Sequence, residues 1–224
     1  MNDLMNKKSE DKYYSSGQYD HDVKRTVVWK EIVRFLTPYI SKDSVVVDLG
    51  AGYCDFINQV EASKKYAVDY SPDLSKFAGK NVEKINSSVV DLSAIKDSSV
   101  DVVHSSNLLE HFNDDDLKKI IGEIRRILKK GGRLILMQPN YRLQPGRYFD
   151  DHTHKKIFTD ESLGSFLLEN GFKIILKRPR FLPQEMKNNP GIIPSFLMPL
   201  VVRAYIHSPF KPLAGQMLFI TVKE

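Results

Sequence analysis

The sequence predicts a doubly wound α/β fold, and three observations carry that expectation. A strand, a glycine loop and a helix follow one another between Val45 and Ala62. Short runs rich in β-branched residues then alternate with stretches whose apolar residues recur at helical spacing. Several of the short runs close on an aspartate, which sets acids along one edge of a sheet, the edge where open α/β sheets bind ligands.

Bulk properties fit that expectation. The 224 residues suit one domain with some excess for a lid or insertion, and 42% hydrophobic residues can fill a sizeable core. A single cysteine, Cys54, excludes an internal disulfide and fits a reducing compartment. The N-terminus, M-N-D-L-M-N-K-K-S-E-D-K, has no apolar core of a signal peptide. No apolar run approaches the ~20 residues of a membrane span, so a cytoplasmic location is expected. The net charge of +5 is uneven: from Gly171 to Glu224 eight Lys/Arg stand against two acids. That basic excess suits an anionic substrate or surface, or equally a solvated face.

Residues 1–19 are polar, though Tyr13, Tyr14 and Tyr19 can fold over a site, and Asp22 to Ile40 reads as an amphipathic helix ending near Pro38. Then comes V-V-V-D-L-G-A-G-Y-C-D, residues 45–55. Val45 to Val47 form a buried strand, Asp48 ends it, and Gly50 and Gly52 let the backbone turn tightly against a ligand. Residues 54–62 follow as a helix with Phe56, Ile57 and Val60 on one face. A dinucleotide site wants a third glycine where this chain has Asp55, and a carboxylate there repels a diphosphate. A nucleoside ligand without phosphate and with a cationic centre fits better, which is S-adenosyl-L-methionine (SAM). A glycine turn with no ligand remains the alternative at this point.

Lys65 to Asp69 reads as strand two. Asp69 lies 17 residues beyond Gly52, close to the spacing of a ribose-binding acid, and a carboxylate can accept from both hydroxyls of a diol. Ser71-Pro72 opens a short helix to about Ala78. Ser87 to Asp91 reads as strand three, with Asp91 set to accept from an adenine amino group. Val100 to Ser105 is strand four. Asn113 and Asp114–Asp116 cap a helix reaching Lys130, which Gly131-Gly132 stop. Arg133 to Gln138 is strand five, followed by the aromatic and histidine-rich loop 141–154. Thr159 caps the helix Asp160–Asn170, Phe172 to Lys177 is strand six, and Leu218 to Val222 is strand seven. The proline-rich stretch between the last two strands reads as an insertion. The expected division is a tail and cap helix at 1–40, a cofactor-binding core at 41–178, an acceptor-side insertion at 179–216, and the last strand at 217–224.

V-V-V-D-L-G-A-G, the acid of A-V-D-Y-S-P, S-S-V-V-D-L, V-D-V-V-H-S-S-N-L-L-E-H and I-R-R-I-L-K-K-G-G-R-L-I-L-M-Q-P-N together resemble the class I SAM-dependent methyltransferases. The resemblance implies a mostly parallel seven-stranded sheet with an antiparallel last strand. It places Asp48, Gly50 and Gly52 at the methionyl part of SAM and Asp69 at the ribose diol. Asp91 and Leu92 would border the adenine, and Ser105 to Asn107 would lie under the sulfonium. L-G-A-G-Y-C-D-F-I-N, R-F-L-P and G-Q-M-L-F-I are similar to a bacterial subgroup associated with cell-surface polysaccharide biosynthesis.

Methyl transfer needs alignment and, for most acceptors, a base. His111, His152 and His154 are the candidates, with Glu110, Asp150 and Asp151 to orient them; each histidine also fits a packed structural role. A metal is not expected. The metal-binding pattern E-x-x-E-H is here Asn107-Leu108-Leu109-Glu110-His111, and an amide is a poor ligand for a hard cation. The expected acceptor is a sugar or glycolipid precursor. A small metabolite, a quinone-like lipid and RNA are kept as alternatives, RNA disfavoured for want of a compact basic and aromatic patch. A non-catalytic SAM-binding module is the reading from another class. Residues 192–211, apolar with basic neighbours, suit peripheral contact with the inner face of a membrane, or instead a packed core or dimer interface.

Overall fold

The computed structural model describes residues 23–183, 186, 193–194 and 196–224. The tyrosines at 13, 14 and 19 and much of the proline-rich stretch lie outside them. Seven strands form one sheet in the order β3-β2-β1-β4-β5-β7-β6. β1 (Val45–Leu49), β2 (Lys64–Asp69), β3 (Glu83–Asn86), β4 (Val100–Ser106) and β5 (Leu128–Pro139) run parallel. β7 (Gln216–Lys223) is antiparallel to both β5 and β6 (Phe172–Leu182). This is the expected Rossmann-like arrangement.

Period-two alternation divides the core in two. Val46, Val102, Ile135 and Leu218 face one layer, with α1 (Val23–Leu36), α2 (Asp55–Gln59), α3 (Leu74–Phe77) and α6 (Met198–His207) packed on it. Val47, Val103, Leu134 and Phe219 face the other, covered by α4 (Asp114–Ile127) and α5 (Asp160–Glu169). α4 buries Leu117, Ile120, Ile121, Ile124 and Ile127, starts under an Asn113 cap that accepts from the Asp116 N–H, and carries acids in its first turn. Thr159 and Ser162 close a capping box at the start of α5.

Several boundaries differ from the expectation. Strand three is Glu83–Asn86, and Ser87 to Asp91 is a turn in which the Asp91 N–H bonds to the Ser88 carbonyl. Val89 is buried from that turn, so its apolar character was mistaken for a strand's. α2 has five residues, because Val60 is already extended on the way into β2. α4 ends at Ile127, and Gly131-Gly132 serve a bulge in β5 instead of a helix stop. There Gly131 has φ +76°, and a Cβ on Gly132 would lie 2.9 Å from the Lys129 carbonyl oxygen. β6 runs on to Leu182 through Pro179, which an edge strand tolerates because its outward N–H is not needed. The connection to β7 therefore starts after Leu182 rather than at 179.

That connection is two-sided. α6 buries Met198, Val202 and Ile206, and Arg203 makes a two-pronged ion pair with Glu31 of α1 at 2.9 and 3.1 Å. Phe196, Leu200, Phe210 and Leu213 are exposed. Lys211 donates to the Tyr205 and Ile206 carbonyls at the end of α6.

Candidate active site

The cofactor side is built mostly from backbone. The N–H groups of Gly50 and Ala51 both donate to the Val68 carbonyl, folding the glycine loop over the end of β2. Asp69 completes the clamp: its two oxygens accept from the Gly52 and Ser71 N–H groups, each at 2.8 Å. Burial pushes the Asp69 carboxyl above its ordinary range, and these two N–H groups pull against that. Gly50 has φ +66°, which strains any residue with a Cβ, and a Cβ there would also lie 2.7 Å from the end of the Leu108 side chain in the turn after β4.

Beneath the loop lies a buried polar pair. β1–β4 register sets Asp48 beside His104, and Asp48 Oδ1 is 2.7 Å from His104 Nδ1. The imidazole stacks on Phe56 with centroids 3.7 Å apart and meets the edge of Trp29. Burial raises the Asp48 carboxyl, opposed by His104. Asp55, at the third glycine position, is ion-paired with Arg25 of α1. Cys54 is the left-handed residue at the start of α2, and its buried thiol is pushed up to about 12.

The other predicted cofactor residues divide. Asn107, with φ 52°, donates its N–H to the Met137 carbonyl, and its side-chain oxygen accepts from Gln216 Nε2 at 2.8 Å. Ser105 is fully buried and donates to the Leu49 carbonyl, so it ties β4 to β1 beneath the loop. Leu92 is buried in the second core layer, its N–H bonded to Glu123. Asp91 is exposed, five residues beyond the end of β3 rather than at a strand end, and accepts from the Ser93 N–H. In register beside Asp69 stands Asn86, whose amide donates to the Asp69 and Ser71 carbonyls. Sequence reasoning missed His104, Asn86 and Gln216. Strand register was the only route to the first two, and a glutamine opening an apolar strand was the signal for the third.

The second half of the site is assembled from two loops on the same edge of the sheet. A 3-10 turn, Leu109–His111, follows β4, and the Lys155 and Lys156 N–H groups donate to the Glu110 carbonyl at 2.8 and 3.0 Å. His154 is thereby laid beside Glu110 and His111. His154 Nε2 is 3.9 Å from Glu110 Oε1 and from Asp151 Oδ2, and the two imidazole centroids are 5.0 Å apart. One ligand-type atom from each of Glu110, His111 and His154 lies within 4.8 Å of the others. His111 Nδ1 meets the Thr153 hydroxyl at 2.8 Å, and that hydroxyl donates to Asp151. Burial, reinforced by His154, lowers His111 to about 4. Burial also lowers His154, against the pull of Asp151. Both shifts favour the neutral imidazole, the form that a base or a ligand needs. Tyr148, its hydroxyl donating to the Lys156 carbonyl, is held well above its ordinary range by burial and Glu110. His152 is exposed and stands outside this group. The expectation of no metal rested on Asn107, which is bonded to Gln216; the side chain that stands beside Glu110 and His111 is His154, from the other loop.

Residues 47–136 match a family model described as a methyltransferase domain. An uncharacterized protein of Methanocaldococcus jannaschii is 33% identical over 172 residues, which span 75% of this chain and 72% of that one. The chain therefore carries a methyltransferase domain and has the fold of the class I SAM-dependent methyltransferases. A wheat (Triticum aestivum) enzyme named phosphoethanolamine N-methyltransferase 1 is 29% identical over 152 residues, 58% of this chain and 29% of that enzyme. The same fold occurs in a SAM-dependent methyltransferase of Archaeoglobus fulgidus, with a TM-score of 0.64, 21% identity, and coverage of 87% of this chain and 92% of that one. It occurs again in a Thermotoga maritima protein described as a SAM-dependent methyltransferase, possible histamine N-methyltransferase, with a TM-score of 0.63, 21% identity and 89% coverage of each chain.

SAM is the cofactor of this methyltransferase, and the loop fits it. The tight approach at Gly50, the buried acid at Asp69 and the absence of a third glycine suit a nucleoside with a sulfonium better than a pyrophosphate.

Proposed function

We propose that this methyltransferase acts on an oxygen, or a nitrogen, of a sugar or lipid-linked glycan precursor held against Glu110, His111 and His154. The observation that carries the reading is the meeting of these three side chains on the sheet edge that also bears the glycine loop, with Asn107 between them in the chain. In this reading Gly50 and Gly52 lie along the methionyl part of SAM and Asp69 takes the ribose diol. The turn from Ser87 to Leu92, including Asp91, borders the adenine, and Asn107 stands under the sulfonium. Asp48 and Ser105 support the loop from beneath. When bound, SAM supplies an electrophilic methyl group. The chain's own task is to align the acceptor, exclude water and remove a proton. A neutral imidazole, of His154 or His111, takes that proton as the acceptor atom bonds to the methyl carbon and the C–S electron pair stays on sulfur.

The lipid-linked form of the acceptor is supported by the surface near the last strand. Leu213 stands three residues before Gln216, and Phe196, Leu200 and Phe210 of the same stretch are also exposed; Arg203 and Lys211 lie in that stretch, one paired with Glu31 and the other donating to the end of α6. Apolar side chains beside cations suit the inner face of an anionic membrane. No helix among the described residues is long and apolar enough to cross a membrane. A second reading, a small amine acceptor, is favoured by the wheat relative's name. Methyl-labelled SAM, given with extract from cells lacking this gene, separates the two. Label in saccharide or lipid-linked saccharide supports the first, label in phosphoethanolamine or another amine the second, and label in none of these ends both.

A further inference from the structure

The geometry points to a divalent transition-metal site formed by Glu110, His111 and His154. Two imidazoles and one carboxylate are the ligand set of zinc-class ions that keep a coordination position open. The three sources converge from two loops, and the backbone holds them there: the N–H groups of Lys155 and Lys156 both donate to the Glu110 carbonyl. Their ligand-type atoms lie within 4.8 Å of one another, and His154 Nε2 and Glu110 Oε1 are 3.9 Å apart. Metal bonds of about 2.0–2.1 Å set neighbouring ligand atoms about 3.4 Å apart, so the cluster closes by roughly 1 Å of side-chain rotation.

The surrounding hydrogen bonds favour ligation. The Asp151 carboxylate only accepts, so the Thr153 hydroxyl gives it the proton. The Thr153 oxygen then accepts from His111 Nδ1–H, which leaves Nε2 as the atom with the lone pair. A hydrogen-bonded second nitrogen that sets the tautomer and the ring orientation is what metal-bound histidines regularly have. Two nitrogen ligands select zinc, cobalt or iron over magnesium and calcium. The use of such an ion rests on the acceptor placement proposed above and takes over the role given there to an imidazole base, because a ligating ring has no lone pair left for a proton; its binding rests on neither. With the open position turned to a hydroxyl acceptor, the ion lowers that hydroxyl's pKa. The O–H proton would then leave to solvent, and the oxygen pair would form the new bond to the methyl carbon as the C–S bond of SAM breaks and its electron pair stays on sulfur.

The test uses the full chain freed of metal by chelator and titrated with Co²⁺, followed by visible absorption and by Zn²⁺ displacement. One Co²⁺ per chain is expected. His111→Ala, His154→Ala and Glu110→Gln should each weaken it by about tenfold to a hundredfold or more. His152→Ala, in the same loop but exposed, should leave it unchanged. SAM affinity, measured calorimetrically on the same samples, should not move. No stoichiometric Co²⁺ binding by a chain that still binds SAM overturns the proposal, as does binding undiminished by the histidine variants or preference for Mg²⁺. If the buried Glu110 variant does not fold, His111→Gln, at the least buried of the three, decides the matter. Loss of SAM binding by the unaltered chain would instead count against the cofactor assignment and leave the metal result standing.

Discussion

The two halves of the site are held together in different ways. The cofactor half is backbone-made: one continuous stretch turns through positive φ at Gly50, Gly52 and Cys54, and Asp69 ties it down through the Gly52 N–H. The acceptor half is side-chain-made: Glu110 and His111 come from one loop and His154 from another, and their positions depend on two backbone bonds to the Glu110 carbonyl. Backbone geometry tolerates most sequence change around it, whereas a side-chain cluster is lost with any one member. In the proposed reading the first half serves any acceptor, and the second is where one acceptor is chosen.

The largest effect expected from breaking that division is on turnover. Replacing His154 or His111 by alanine should lower turnover by ~10²–10⁴ while the SAM dissociation constant stays put, because proton removal contributes that much and the loop is untouched. Single-turnover kinetics beside calorimetry reads both quantities. Equal losses in both would mean that the halves are not separable.

Next in size is the buried support of the cofactor half. His104→Ala leaves the Asp48 carboxyl, 3% exposed, without its imidazole and removes the ring stacked on Phe56. A loss of about 3 kcal/mol in unfolding free energy is expected from chemical denaturation. A loss under ~1 kcal/mol would show that Asp48 stays satisfied by other groups.

Asp69→Ala should act chiefly on the ligand. It removes the acceptor of the Gly52 N–H and, in the proposed reading, the acceptor for a diol, so SAM affinity should fall by about tenfold to a hundredfold, ~1.5–3 kcal/mol. Calorimetry showing an unchanged dissociation constant in a folded variant would take the ribose role away from Asp69.

The smallest effect sharpens the comparison from the other side. Cys54 sits in the middle of the cofactor loop, yet its thiol is buried and pushed up to about 12. At pH 8 the thiolate fraction is then on the order of 10⁻⁴, and a thiol reagent should modify the folded chain far more slowly than the denatured one. Rapid labelling of the folded chain would mean that the loop opens.

Much of this protein was legible in the sequence because it is written locally. β-branched runs, the glycine loop and the caps at Asn113 and Thr159 each depend on residues a few positions apart, so the strand–loop–helix unit, Asp69 at the end of β2 and the boundaries of α5 could be read directly. Turns that bury apolar residues misled that reading. Val89 packs into the core from a turn, and strand three was placed four residues late in consequence. Gly131-Gly132 resembled a helix stop because glycine serves a bulge and a helix end for the same reason, freedom at positive φ.

Tertiary structure alone decided what meets across the chain. That His104 and not solvent lies beside Asp48 follows from β1–β4 register, and that Asp55 is paired follows from where α1 docks. Which histidines belong together was likewise settled in three dimensions: His154 joins His111 and Glu110, and His152, two residues away, turns to solvent. Sequence spacing names the chemical groups a loop can offer, but the hydrogen bonds between the two loops determine which of those groups come within reach of one another.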